Sequence, residues 1–290
     1  MMRENVLIGT SGWGYDEWVG PFYPRNLKKE DYLLYYSEIF YTNEINTTFY
    51  NIPKKWVVEN WVRKTPNNFL FSVKIPQVIT HTHKLDTNLC LDDLDYFLKA
   101  MEPLINSKKL LSFLIQLPPT FKKKDHYSNL KEFIDNWLGD PANDNYSLVV
   151  EFRDKSWMNE EVFTYLKSKK LTYCVVIEPL LPPRMDITNP NLVYIRFHGY
   201  GKQIWFDYLF SENEIKKWGQ LIKPLIQNVN KIGIYFNNHF SGYATKNSLM
   251  LMKELDVKPK NIPEYVSILN IKKKTGEYSK GQTGIDKFIK

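Results

Sequence analysis

Two periods of apolar residues alternate along this chain. Short runs rich in Val, Ile, Phe and Tyr, bounded by Gly, Pro, Asn or Asp, predict strands over 6–11, 41–46, 69–75, 110–117, 146–153, 171–178, 192–198 and 231–238. Between them, apolar residues at three- and four-residue spacing predict helices over 30–40, 54–63, 91–104, 127–138, 160–169, 212–226 and 243–255, with Asp31, Asp92 and Ser211 as N-terminal signals. One slot differs. The connection 179–191 carries Pro179, Pro182, Pro183 and Pro190, which remove amide donors and fix φ, so a loop or at most one turn is expected there.

Strands separated by helix-length crossovers pair in parallel. Eight such units in about 250 residues fit a closed (β/α)8 barrel of the TIM type better than an open doubly wound sheet. Gly9-Thr10-Ser11-Gly12-Trp13-Gly14 follows the first strand, but its glycines are mis-spaced for a dinucleotide cradle and lead into aromatics instead of a helix. The expected organisation is therefore a barrel domain over 1–255, with the irregular connection after strand 6, and a basic extension over 256–290 that is flexible or packed on the barrel.

Side chains on a strand alternate between faces, so polar residues of one parity near the C-terminal ends of barrel strands point into the mouth. Applied strand by strand, the rule sends inward Ser11, Glu44 and Asn46, Ser72 and Lys74, Gln116, Glu151 and Arg153, Glu178, Tyr194, Arg196 and His198, and Tyr235 and Asn237. The intervening Phe71, Val73, Val150, Phe152, Ile195 and Phe197 face the helices. A single polar residue at a strand end is ordinary wet surface. Contributions from all eight strands to one rim are the arrangement on which barrel active sites are built. Three carboxylates, Glu44, Glu151 and Glu178, meet three cations, Lys74, Arg153 and Arg196. At about 4 Å and an effective dielectric near 20, one such pair is worth roughly 4 kcal/mol before desolvation, so the groups are expected to be paired.

Composition narrows the chemistry. The 290 residues carry a formal net charge of +7, with 43% apolar and 24% charged positions, as in a globular chain with a full core. Only six of the 39 cations are Arg, so the basicity is mostly Lys, a diffuse surface charge more often than a bidentate phosphate reader. Cys90 and Cys174 form no metal-knuckle or disulfide framework, and no apolar run is long enough for export or a membrane span, which points to the reducing cytoplasm. With as many cations as carboxylates in the mouth, a metal site is disfavoured. His81-Thr82-His83 is the one local metal-like spacing, and it lacks a nearby acid or thiol. No cofactor is expected. Aromatics crowd the strand-following loops, among them Trp13, Tyr15, Trp18, Phe49, Tyr50, Trp157 and Trp205, and any that remain exposed could stack on a sugar ring or nucleobase.

Taken in order, Gly9-Thr10-Ser11-Gly12-Trp13, Phe22-Tyr23-Pro24, Asn43-Glu44-Ile45-Asn46 with Thr48-Phe49-Tyr50, Lys74-Ile75-Pro76 with Thr80-His81, Gln116-Leu117-Pro118-Pro119, Glu151-Phe152-Arg153 with Ser156-Trp157, Arg196-Phe197-His198-Gly199 and Phe236-Asn237-Asn238 resemble the YecE-like family, domain of unknown function 72. The resemblance covers about residues 7–252. It implies a TIM-type barrel with strongly patterned positions at Glu44, Lys74, His81, Gln116, Glu151, Arg153, Arg196, His198, Asn237 and Asn238. It carries no established activity. His239 stands where the family pattern places an acidic residue. At fold level the family has been likened to endonuclease-type and sugar-isomerase-type barrels, an analogy of fold only.

These readings predict a metal-independent enzyme acting on a small polar or anionic substrate, such as a sugar phosphate or nucleotide fragment. Glu44, Lys74, Glu151 and His198 are the catalytic candidates; Ser11, Trp13, Asn46, His81, Gln116, Arg153, Trp157, Arg196, Asn237 and Asn238 are the substrate-binding ones. The alternatives are a nucleic-acid-binding or endonuclease-like barrel using the Lys-rich extension, and a barrel whose mouth is a purely structural ion-pair lattice. No membrane partner is expected, and the oligomeric state is left open.

Overall fold

Eight parallel strands close on themselves in sequence order, each hydrogen-bonded to the next and the last to the first. The computed structural model describes residues 5–140, 143 and 146–261. The strands are β1 (Val6–Ser11), β2 (Thr42–Ile45), β3 (Leu70–Lys74), β4 (Leu110–Gln116), β5 (Ser147–Glu151), β6 (Thr172–Ile177), β7 (Leu192–Phe197) and β8 (Lys231–Phe236). The surrounding helices are α1 (Tyr32–Ser37), α2 (Thr47–Tyr50), α3 (Lys55–Lys64), α4 (Thr87–Asn106), α5 (Lys123–Gly139), α6 (Glu160–Ser168), α7 (Glu212–Ile226) and α8 (Tyr243–Glu254). This is the (β/α)8 barrel expected from the alternation of periods.

Local chemistry explains where elements begin. Helix α7 starts at Ser211 through a reciprocal capping box with Glu214. Helix α4 starts earlier than expected, because Asp86 and not Asp92 accepts the Asn88 amide. Between β6 and β7 the proline-rich connection forms no helix. It is pinned by Arg184, which pairs with Glu160 and Asp186 and lies 3.8 Å over the Phe163 ring. Elements not foreseen include the four-residue α2 directly after β2, a π-helical turn, Val78–Thr82, after β3, and short 3-10 turns at Asp16–Trp18, Lys155–Trp157 and Phe240–Gly242. Turns of the π kind interrupt the helical period and are frequent at functional sites.

Outward residues of the strands merge with the helix faces into one large core, including Phe71, Val150, Phe152, Ile195 and Phe197. The barrel interior holds a second, smaller cluster, with Leu7, Leu114, Val149, Cys174, Tyr194 and Tyr235. Above its aliphatic part lies a layer of hydroxyls. The Tyr235 hydroxyl is 2.8 Å from Thr42 Oγ1 and 2.9 Å from Ser72 Oγ, which in turn meets Ser112 Oγ at 2.9 Å. Buried hydroxyls need such partners, so this layer fixes the orientation of the floor on which the mouth residues stand.

Helix α8 returns the chain to the N-terminal end of the strands, and residues 255–261 continue along that end. The amides of Lys260 and Asn261 donate to the carbonyls of Ile39 and Glu38, just before β2 begins, and Lys260 Nζ reaches Asn68 Oδ1 at 3.1 Å. The start of the expected basic extension is thus packed against the barrel. Its remaining lysines, at 272–274, 280, 287 and 290, lie outside the described residues. No helix among the described residues is long and apolar enough to cross a membrane.

Candidate active site

The alternation rule concentrates charge at the C-terminal ends of the strands, and Glu44, Lys74, Glu151, Arg196 and His198 do come together there. At the centre sits Arg196 of β7, 2% exposed. Its Nη2 donates to Glu44 Oε1 at 2.8 Å and its Nη1 to Glu151 Oε2. Glu44 also accepts from Ser11 Oγ at 2.6 Å and from the Tyr194 hydroxyl at 2.7 Å. One turn of chain above, Arg153 donates to Glu151 Oε1 through Nε and to Glu178 Oε2 through Nη1, both at 2.5 Å. Its Nη2 lies 2.9 Å from His198 Nε2.

This is an occluded lattice, and it determines which groups can exchange protons. Burial favours the neutral form of Glu151, but Arg153 and Arg196 outweigh it and hold the carboxylate well below its usual range. Burial opposes charge on Arg196, but Glu151 and Glu44 keep its guanidinium charged. The expected acid–base role of Glu151 therefore meets a carboxylate held ionised.

His198 is likewise locked. Burial, then Arg153 and Arg196, push its pKa down to about 3, so the ring is neutral. A guanidinium can only donate, so Nε2 must accept and Nδ1 carries the proton. Asn237 Nδ2 lies 2.9 Å from Nδ1, and a protonated Nδ1 requires the carboxamide to be turned so that its oxygen faces the ring. Nitrogen-15 NMR should accordingly find one Nδ1-protonated tautomer of His198 from pH 5 to 8; an imidazolium titrating in that window would contradict the lattice.

Two groups stand apart. Lys74 of β3, 8% exposed, has no carboxylate within ion-pair distance among the described residues. Its Nζ donates to Gln116 Oε1 at 2.8 Å and lies 3.7 Å from the centroid of the Phe49 ring. Gln116 is held in turn by the carbonyl of Leu117, 2.7 Å from its Nε2. The ring favours the ammonium by roughly 0.5–2 kcal/mol. Burial and the field of Arg196 oppose it more strongly, and the pKa falls to about 7. Glu178, at the end of β6, is the converse case. Burial raises its pKa to about 7 despite Arg153. Its Oε1 is buried without a hydrogen-bond partner.

The rim is aromatic. Phe49 packs edge-on against His81 at 4.9 Å, and the Nδ1 of His81 is 2.9 Å from Thr80 Oγ1. Burial, then Lys74 and Arg153, lower His81 to about 4. On the other side Tyr15 stacks on His239 at 4.7 Å, and Phe206 lies between His239 and His198. Asn46, after β2, keeps a buried Oδ1 without a partner.

Three candidates lie elsewhere. Trp157 is fully buried in the helix layer, stacked on Phe152 at 4.8 Å, its Nε1 donating to the Phe121 carbonyl. Trp13 packs edge-on against Trp61 of α3 and Phe71 of β3, both in the outer core. Asn238 points outward from the strand end and joins the Tyr208 carbonyl to Asn247 of α8. His81 and His83, the metal-like pair, find different partners, His83 Nε2 lying 3.3 Å from Asp93. Among the described residues no three His, Cys, Asp or Glu gather as a ligand set. The residues whose roles sequence reasoning missed are Glu178, recognised as inward but given no task, and Tyr194 and Phe49. Strand parity placed Tyr194, while nothing in the pattern tied Phe49 to Lys74.

Comparison with known proteins sets this geometry in a family. The chain is 27% identical over 277 residues to the UPF0759 protein YunF of Bacillus subtilis, covering 87% of this chain and 95% of that one. It is 30% identical over 145 residues to the UPF0759 protein YecE of Escherichia coli, about half of either chain. The crystal structure of a DUF72 family protein from Thermotoga maritima superposes with a TM-score of 0.75 at 33% identity, covering 88% of this chain and all of that one. The profile of the family described as "Protein of unknown function DUF72" matches residues 7–268, so the chain with this barrel and this charged mouth belongs to the DUF72 family.

Proposed function

We propose that this chain is an enzyme that moves protons on a small polar or anionic substrate held in the barrel mouth, with protein side chains as acid and base. The observation that carries the reading is the contrast between the lattice and its two outliers. Glu151, Arg196 and His198 have fixed charge states, and with Glu44 they have fixed partners, the preorganised surroundings that stabilise developing charge. Lys74 and Glu178 are set near neutrality from opposite directions, the level at which a group both takes and gives protons efficiently at cellular pH. Lys74 ends β3 and Glu178 follows β6, three strands away around the rim, so a substrate in the mouth can meet both. Arg153, with donor hydrogens to spare and the most exposed of the lattice groups at 12%, is the group to meet a substrate anion. Glu44 and Glu151, the acid–base candidates from sequence, become the groups that hold the guanidiniums in place.

The test is solvent exchange. Sugar phosphates, 2-keto and 2-hydroxy acids and nucleoside monophosphates are incubated with the protein in deuterium oxide at pH 7, and carbon-bound protons are followed by NMR. At least one class should exchange, and Glu178→Gln and Lys74→Met should each slow that exchange by roughly 100-fold or more, the usual scale of a lost acid or base. Variants that bind and exchange as the parent does would remove the assignment. Steep loss of binding between low and moderate salt, confined to oligonucleotides, would favour the nucleic-acid reading instead.

A further inference from the structure

Every carboxylate in the mouth is committed to a guanidinium, and Lys74 is left with two neutral neighbours. The Gln116 amide takes one N–H at 2.8 Å, and the Phe49 ring, at 3.7 Å, closes over the nitrogen from the loop side. The amine thus stands at the end of a rigid strand, oriented by an amide that is itself fixed, under a lid formed by the short α2. Thr48 of the same α2 donates to the Lys74 carbonyl at 2.6 Å, so the lid and the strand end move as one unit. A lysine whose task was to neutralise the mouth would face a carboxylate; none among the described residues lies within ion-pair distance of it. Burial, with the field of Arg196, opposes a positive charge on this amine more than the more distant Glu151 and Glu44 favour it.

We propose that Lys74 is a nucleophile whose Nζ forms an imine with the carbonyl carbon of an aldehyde or ketone substrate carrying an anionic group. The inference deepens the proton-transfer reading by naming the substrate class, and rests on it for the site. The Nζ lone pair adds to the carbonyl carbon while the carbonyl π pair moves to oxygen. A proton passes from nitrogen to that oxygen through solvent, giving a carbinolamine, and loss of water leaves the C=N bond. Amine plus carbonyl gives imine plus water, with no oxidant or reductant required. An imine at Lys74 then withdraws electrons from the neighbouring carbon, the position from which a base across the mouth would take a proton. Arg153 supplies the cation for the substrate's anionic group.

The probe is glyoxylate, a small anionic aldehyde, given to the unaltered chain at pH 7 with cyanoborohydride as hydride donor, followed by peptide mapping. Reduction converts each imine into a stable carboxymethyl-lysine. Lys74 should be labelled at least tenfold faster than exposed lysines such as Lys99, whose amine Asp95 holds protonated. The advantage should shrink as the pH approaches 10 and the exposed amines lose their protons. Labelling of Lys74 no faster than Lys99 at pH 7 would overturn the proposal. Because the readout is taken on the unaltered protein, misfolding of a variant cannot imitate either result. The two readings separate cleanly. Solvent exchange that persists unchanged after glyoxylate and cyanoborohydride treatment would remove the imine and leave the proton-transfer reading standing. Rapid trapping at Lys74 without any substrate exchange would do the reverse.

Discussion

Replacement of Arg196 by Met is expected to lower the thermal midpoint by roughly 10 °C. Among the described residues Arg196 is the one cation paired with Glu44, and it shares Glu151 with Arg153. Intact, such a buried network contributes modestly, because desolvation of each ion costs several kcal/mol and the attraction only offsets it. Removal of one partner is a different matter, since a fully buried carboxylate is left uncompensated at about 3–5 kcal/mol. At roughly 2–4 °C per kcal/mol for a domain somewhat smaller than this one, that is a shift of about 10 °C. The same logic predicts a partial rescue. Glu44→Gln in the Arg196→Met background removes the stranded charge while its amide oxygen still accepts from one hydroxyl and its NH2 donates to the other, and should restore about half of the loss. Calorimetry of the four proteins in this double-mutant cycle checks both statements; a single variant melting within about 2 °C of the parent would show that the lattice holds nothing in place.

Lys74→Met should act in the opposite direction, stabilising the protein at neutral pH. The ammonium has an ordinary value of 10.5 and a folded value of about 7. Below pH 7 both folded and unfolded chains carry the proton, and the fold bears the whole cost of a buried ammonium. Between 7 and 10.5 the folded chain releases its proton first, so stability rises with pH and the cost disappears. Removing the amine therefore gains on the order of 2–4 kcal/mol below pH 7, after allowance for the Gln116 oxygen left without a donor, and nothing near pH 10. Denaturant unfolding of parent and variant at pH 6, 8 and 10 reads the convergence directly, and parallel curves would contradict it. A stabilising change at a mouth residue is the trade expected where function requires a poorly solvated charge.

The barrel was legible because two periods suffice to specify it. Strand alternation is a geometric consequence of the extended chain, so Ser11, Glu44, Lys74, Glu151, Arg196 and His198 could be assigned to one rim without knowing a single contact. The same rule loses force one residue past a strand. Trp157 lies in a turn that folds back over Phe152, and Trp13 in a loop that drops onto α3, and neither direction follows from periodicity. Asn238 is a different case: alternation placed it outward beside inward Asn237, and only the family resemblance brought it into the candidate site. Proton affinities were not legible at all. Glu151 and Glu178 look alike in sequence, yet one carboxylate faces two guanidiniums and the other faces one while keeping a bare oxygen. That difference sends them to opposite sides of the usual carboxylate range.

The bond from Arg196 to Glu44 joins residues 152 positions apart, across the seam between the first and last quarters of the barrel. Strands 1–4 alone would bury Glu44 without its guanidinium, while in strands 5–8 Arg196 would lose Glu44 and keep only its share of Glu151. Such a molecule has little reason to populate half-assembled states. Circular closure and charge neutralisation become the same late event, so these contacts should retard unfolding more than they accelerate refolding. Separately expressed halves should be insoluble apart and recover structure only when mixed.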